Sequence, residues 1–189
     1  LMPKKTMKKI LVTGATGQIG SELSIELRKK YGEENVIAAG HKRKPSGKLL
    51  ESGYFEYIDT TDRENVEKVV KKHDIDTIYH LAAVLSAVGE ENPQLAWRVN
   101  MDGLYNVLEV AREYDIVRVF WPSSIAVFGP EAPRVNTPQD AVLIPRTVYG
   151  VTKVAGELLY NYYFNRFELD VRSVRYPGIV SSETPPGGG

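Results

Sequence analysis

The sequence predicts an α/β protein built on a doubly wound parallel sheet. Three observations predict it: short apolar runs alternate with stretches of helical period, a glycine cluster follows the first run directly, and hydroxyl, tyrosine and lysine residues gather past the later runs. Such alternation lays successive strands side by side with helices returning across them, so both faces of a parallel sheet become covered.

Residues 9–13 (KILVT) form a short apolar run that ends at the glycine cluster, as a buried parallel strand does. Residues 18–31 follow with helical period, carrying Ile19, Leu23 and Leu27 on one face. Residues 36–39 and 54–58 read as the second and third strands. Residues 61–72 are helical, with Thr61 and Glu64 spaced as a capping box. Residues 77–81 (TIYHL) make another strand, and residues 93–114 one long helix with Pro93 in its first turn. Residues 117–121 (VRVFW) form a strand that ends at Pro122. The stretch 129–145, rich in proline and polar residues, reads as a surface loop, 149–167 as a helix and 170–176 as the last strand.

Bulk properties narrow the function. At 189 residues the chain can bury a sizeable core as one domain. It has no cysteine, which excludes a disulfide framework and thiolate metal sites. Twenty-four basic residues balance 24 acidic ones, so no global field favours nucleic acid or an anionic membrane. His41, His73 and His80 lack ligand spacing, and no metal is expected. Residues 1–8, with Lys4, Lys5 and Lys8, read as a flexible solvated leader. The apolar run after them is too short for a signal peptide or spanning helix, so the expected location is the cytoplasm. Residues 9–180 then form one folded domain, and 181–189, ending in PPGGG, a flexible tail or the start of a further loop.

The glycine cluster carries the first functional signal. Gly14, Gly17 and Gly20 lie in TGATGQIG, between the first strand and first helix. Glycine there allows a tight turn, close approach of a pyrophosphate and contact between helix and strand, while free N–H groups at the helix start meet the phosphate charge. Gln18 and Ile19, inside the same loop, join the expected cofactor contacts. Dinucleotide sites commonly carry an acid at the end of the second strand, on the ribose 2′-hydroxyl. Here Gly40 takes that place and His41, Lys42, Arg43 and Lys44 follow. These residues fit either a 2′-phosphate, hence NADP, or a solvated charged loop. Asp59, after the third strand, suits either the adenine edge or a helix start.

Tyr149 and Lys153 (YGVTK) stand four apart, on one face of a helix. A phenol is a poor base near neutrality, and a neighbouring cation favours its phenolate. Ser123 and Ser124, past the 117–121 strand, would lie at the carboxyl end of the sheet, where ligands collect.

The segments TGATGQIG, HLAA (80–83), PSSIAVFG (122–129) and YGVTK occur together in an order and spacing that resemble the extended short-chain dehydrogenase/reductase family, which has a Rossmann-type fold. Within it, LSAVGEENP (85–93), PSSIAVFGPE, PRTVYGVTKVAGELL (145–159) and DVRSVRYPGI (170–179) resemble the branch that oxidises the side-chain hydroxyl of L-threonine. The resemblance implies Tyr149 as general base, Lys153 as its partner on the nicotinamide ribose, and Ser124 as the catalytic hydroxyl. It implies Ser86 and Ser123 as substrate contacts, and Leu81, Ala82, Ala83, Asn100 and Tyr176 at the cofactor. Ser86 also suits a cap. Hydride would pass to NAD and leave 2-amino-3-oxobutanoate.

Two departures stand out: the acid after the second strand is absent, and family members continue into a smaller substrate-binding portion beyond the length of this chain. A 189-residue protein is therefore expected to bind cofactor with little turnover. Other readings are a nucleotide-sugar epimerase or NADP-dependent carbonyl reductase of the same family, a non-catalytic NAD(P)-binding module, and a truncated inactive paralogue. Trp97 and Trp121 read as core. The run Tyr160, Tyr162, Tyr163 and Phe164 fits a core face or a homodimer contact.

Overall fold

The computed structural model describes residues 7–181. Residues 1–6 of the expected leader and 182–189 of the expected tail lie outside the described residues. Met7 and Lys8 are not free: the Lys8 and Lys9 amides donate to Asp76 Oδ2 at 2.8 and 3.0 Å, and Met7 meets Arg118.

Strands β1 (Ile10–Thr13), β2 (Val36–Gly40), β3 (Phe55–Tyr57), β4 (Thr77–His80), β5 (Arg118–Phe120) and β7 (Val171–Arg172) form a six-stranded sheet in the order β3-β2-β1-β4-β5-β7. All its pairings are parallel. A parallel sheet buried on both sides needs apolar residues at consecutive positions. Thus Ile10 and Val12 pack on one face with Val36 and Ala38, while Leu11 packs on the other with Ile37 and Ala39. Helices α1 (Gln18–Tyr31) and α2 (Gly47–Glu51) cover the first face through Leu27 and Leu49. Helices α3 (Arg63–Lys72), α6 (Gly103–Glu113) and α7 (Val148–Phe167) cover the second through Val66, Leu104 and Tyr163.

Several sequence expectations change. The cap of α3 is Asp62, not Thr61: its carboxylate accepts from the Glu64 and Asn65 amides, while the Thr61 hydroxyl donates to Asp59. The expected long helix is divided into α5 (Pro93–Trp97), capped by Asn92, a π-helical turn at Arg98–Asp102, and α6. Helical period alone cannot register that extra residue per turn. A short helix, α4 (Ser86–Glu91), precedes α5.

The last strand is also divided. Beyond β5 the chain passes Pro122, which has no N–H to donate to the ladder, and resumes as β6 (Ser123–Ser124), which pairs with β8 (Arg175–Tyr176) in a separate two-stranded sheet. Trp97 is 47% exposed, contrary to a core assignment, whereas Trp121 is buried. The aromatic run splits as well, with Tyr163 in the core and Tyr162 and Phe164 facing outward. Among the described residues no helix is long and apolar enough to cross a membrane.

Candidate active site

The carboxyl ends of the strands open into a cleft of about 960 Å³. The glycine turn forms its floor. Gly14 has φ +68°, and a Cβ on it would stand 2.6 Å from the Ala82 nitrogen, so β1 and the segment after β4 touch backbone to backbone. A Cβ on Gly20 would strike the Gly14 carbonyl. Gly17 differs: a Cβ there would meet only the Gly14 oxygen, at 3.3 Å. Its missing side chain leaves room on the cleft side. Helix α1 starts with no side-chain cap at Gly17, so the N–H groups of its first turn are open to an anion.

Strand order divides the cleft. On the β2 side its wall carries Gly40, His41, Lys42, Arg43 and Asp59; on the β4 and β5 side it carries Ser124, Tyr149, Lys153 and Tyr176. Gln18, Ile19, Leu81, Ala82, Ala83 and Ser123 also line it.

Thr147 caps α7, its hydroxyl accepting from the Gly150 amide at 3.0 Å, and this sets the register of the helix. One turn of helix brings Tyr149 and Lys153 to the same wall. The phenol stands beside the Ser124 hydroxyl on the cleft wall; burial pushes its pKa up and the neighbouring hydroxyl pulls it down, with burial prevailing. Lys153 is buried. Its Nζ donates to the Pro122 carbonyl at 2.7 Å and stands 4.3 Å from the Trp121 ring centroid and 5.4 Å from that of Tyr149. Burial lowers its pKa to about 7, with no carboxylate partner among the described residues. Burial thus shifts both Tyr149 and Lys153 toward their neutral forms.

Ser123 lines the cleft but its hydroxyl is engaged, and two other expected contacts, Asn100 and Ser86, lie off the lining. Ser123 is buried and its hydroxyl donates to Glu157 Oε1 at 2.5 Å; Arg175 holds the same carboxylate with two bonds of 2.8 Å. Asn100 lies behind the wall. Its side chain accepts from the Val84 amide at 2.8 Å and donates to the Val84 carbonyl at 3.0 Å and Thr152 Oγ1 at 3.2 Å. It therefore ties the segment after β4 to α7 and does not face the cleft. Ser86 opens α4, exposed and just beyond the lining residue Leu85; it neither lines the cleft nor caps the helix.

Sequence reasoning missed several residues. His80 lines the cleft at the end of β4, its Nδ1 2.8 Å from Thr13 Oγ1 and its Nε2 without a partner among the described residues. Burial, then the neighbouring Lys153, lower its pKa to about 3, so it is neutral. Its place at a strand end was the available signal. Trp121, read only as core, is the platform beneath Lys153.

Comparison with known proteins agrees with this geometry. The family model "NAD dependent epimerase/dehydratase family" matches residues 10–188, so the chain belongs to that family. It is 51% identical over 183 residues to an uncharacterized epimerase/dehydratase of Staphylococcus saprophyticus, covering 97% of this chain and 57% of the relative. Among solved structures it is similar to the L-threonine dehydrogenase of Clostridium difficile, with 55% identity, a TM-score of 0.94, and coverage of 98% of this chain and 58% of that one. A more distant likeness is the UDP-glucose 4-epimerase of Thermus thermophilus in complex with NAD, with 26% identity, a TM-score of 0.84, and coverage of 95% and 58%. The chain thus spans a little over half the length of the proteins it matches.

Proposed function

We propose that residues 9–180 form the dinucleotide-binding part of an NAD-dependent oxidoreductase that acts on the side-chain carbinol of L-threonine and yields 2-amino-3-oxobutanoate. The observation that carries this reading is the Tyr149 phenol, beside Ser124 on the cleft wall and 5.4 Å from the Nζ of a buried Lys153 that has no carboxylate partner among the described residues. The glycine floor suits a pyrophosphate: Gly17 leaves space and α1 is uncapped.

When bound, the nicotinamide supplies the hydride acceptor. The residues of this chain handle the proton and the geometry. The Ser124 hydroxyl, at the tip of β6, orients the substrate oxygen toward Tyr149. Tyr149 takes the hydroxyl proton as the carbinol C–H bond breaks and the C=O bond forms. Lys153 gains acceptors from the ribose hydroxyls; its charged form is then favoured, and the phenolate beside it is stabilised. Asn100 and Trp121 hold the wall and the platform on which this pair rests.

Threonine as the substrate draws support from similarity: 55% identity to a threonine dehydrogenase, against 26% to a UDP-glucose 4-epimerase. The test uses the protein extended past Gly189 to the length of its relatives, given NAD and either L-threonine or UDP-glucose. Threonine-dependent absorbance of reduced nicotinamide is the expected result. Silence with threonine together with epimerisation of the sugar nucleotide would replace this reading with the second.

A further inference from the structure

We propose that Glu90 is a positioning residue for Tyr149: from α4, its carboxylate caps the first amide of α7 and so fixes where the phenol stands on the cleft wall. The proposal deepens the reading above, because it rests on Tyr149 being the group that takes the substrate proton.

A helix begins with amides that have no partner inside it, and its first turn frays unless something outside accepts from them. Helix α7 opens with Val148, Tyr149 and Gly150. Thr147 accepts from the Gly150 amide at 3.0 Å, but as the adjoining residue it shapes the turn without fixing where the turn lies. Glu90 supplies that reference. Its Oε1 accepts from the Val148 amide at 2.8 Å, across 58 residues of sequence. Tyr149 is thus the residue between two held amides, and the Thr152 hydroxyl donates to its carbonyl at 2.8 Å. A carboxylate suits the place, since the amide end of a helix carries positive partial charge.

Glu90 is itself held. Gly89 beside it is buried, and a Cβ there would stand 3.4 Å from both Ala96 Cβ and Val148 Cγ1, so α4 rests on α5 and on the first residue of α7. The Gly89 and Asn92 amides donate to the Leu85 and Val88 carbonyls at 2.8 and 3.0 Å, and Asn92 in turn caps α5 through the Leu95 amide at 3.0 Å. Upstream, Asn100 clamps Val84 by its amide and carbonyl and reaches Thr152. The segment whose residues Val84 and Leu85 line the cleft therefore also sets the start of the tyrosine helix.

The other side of that first turn is close-packed too. A Cβ on Gly150 would lie 2.4 Å from the Ala126 carbonyl oxygen, and the Ala126 amide donates to Ser124 Oγ at 3.1 Å. The turn that carries Tyr149 is thus set between Glu90 and the turn that carries Ser124. Loss of the Glu90 contact frees it on the α4 side alone, so the phenol shifts relative to Ser124 and Lys153. Glu90 is exposed, and the exchange of a bond to water for this one contributes little to stability. Its effect is on position.

The test compares Glu90→Ala, Glu90→Gln and Glu91→Ala with the native protein, all extended to the length of their relatives. A 3-fluorotyrosine placed at position 149 reports the phenol's surroundings by its fluorine resonance in the cofactor-free protein, and steady-state kinetics with NAD and L-threonine reports the consequence. Glu90→Ala is expected to move or broaden the resonance and to lower kcat about tenfold, with KM for threonine, NAD affinity and thermal melting little changed. Glu90→Gln, which keeps an oxygen acceptor, is expected to restore both readouts, and Glu91→Ala, which removes the adjacent carboxylate, to match the native protein. A native resonance or an undiminished kcat in Glu90→Ala, a Gln variant as impaired as the Ala variant, or equal impairment in Glu91→Ala would each overturn the proposal. Absence of threonine oxidation in the native protein would instead remove the substrate reading, and the fluorine comparison would still decide whether Glu90 places Tyr149.

Discussion

Lys153 Nζ lies 4.3 Å from the centroid of the Trp121 ring, with the Pro122 carbonyl 2.7 Å away as its hydrogen-bond acceptor. A buried ammonium held by one carbonyl and an indole face is a strained electrostatic arrangement, and burial brings its pKa down from 10.5 to about 7. The protein keeps a costly cation at the point where a ligand's hydroxyls can solvate it.

Stability should report that cost. In the folded chain Lys153 releases its proton near pH 7, while in the unfolded chain it holds it to about 10.5. Below pH 7 the cost is fully present; between pH 7 and 10.5 the unfolded state binds more protons, so this lysine's contribution to stability rises with pH. Lys153→Met is expected to stabilise the cofactor-free protein by roughly 2–4 kcal/mol near pH 6, given about 1.4 kcal/mol per pKa unit, and to remove the rise. Urea denaturation at several pH values measures both, and the same variant should have no threonine-dependent activity.

Tyr149→Phe removes the group that accepts the proton while retaining the ring. Its kcat is expected to fall roughly 10²–10⁴-fold, the usual span for a general base, with NAD affinity changing far less. Steady-state kinetics paired with cofactor titration separates the two effects.

Gly14→Ala tests the floor. Its φ of +68° and the 2.6 Å approach to the Ala82 nitrogen leave no place for a methyl group. A loss of about 2–4 kcal/mol is expected from left-handed strain and backbone overlap, together with loss of binding to 5′-AMP. Thermal melts and titration check the pair of effects.

Arg175→Met leaves the Glu157 carboxylate buried on Ser123 alone. Burial tends to raise the Glu157 pKa, but the hydrogen bonds from Arg175 and Ser123 outweigh it and the net shift is downward. In the native protein this group therefore adds stability that is present above its unfolded pKa and lost as pH falls through the lower folded value. Removing the arginine lets burial prevail, so the sign reverses and stability falls as pH rises through the acid range. The expected cost is about 3 kcal/mol near neutrality, measured by denaturation at acid and neutral pH.

Much of this was legible in the sequence because strands and glycines act locally. The KILVT run needed only its own composition to become β1, and Gly14, Gly17 and Gly20 took their places from a neighbouring strand and helix. Tyr149 and Lys153 share a wall because four residues make about one helical turn. Long-range partners were hidden. Nothing near Ser123 indicates that its hydroxyl turns to Glu157, more than thirty residues away. Asn100 was legible as a residue of the site, but its bonds to Val84 and Thr152 depend on the π turn at Arg98–Asp102 and appear only in three dimensions. The division of the last strand likewise goes with Pro122, which lies between β5 and β6, more than forty residues earlier in the chain.

The central claim is that hydride leaves the carbinol carbon of threonine while Tyr149 takes the hydroxyl proton. The most direct test supplies the protein, extended to the length of its relatives, with NAD and L-threonine deuterated at the carbinol carbon, and examines the reduced nicotinamide by mass spectrometry. The account predicts one deuterium in the reduced nicotinamide from the native enzyme, and labelled product formed roughly 10²–10⁴-fold more slowly by Tyr149→Phe. Reduced nicotinamide without the label, or labelled product formed at an undiminished rate with Phe at position 149, would contradict it.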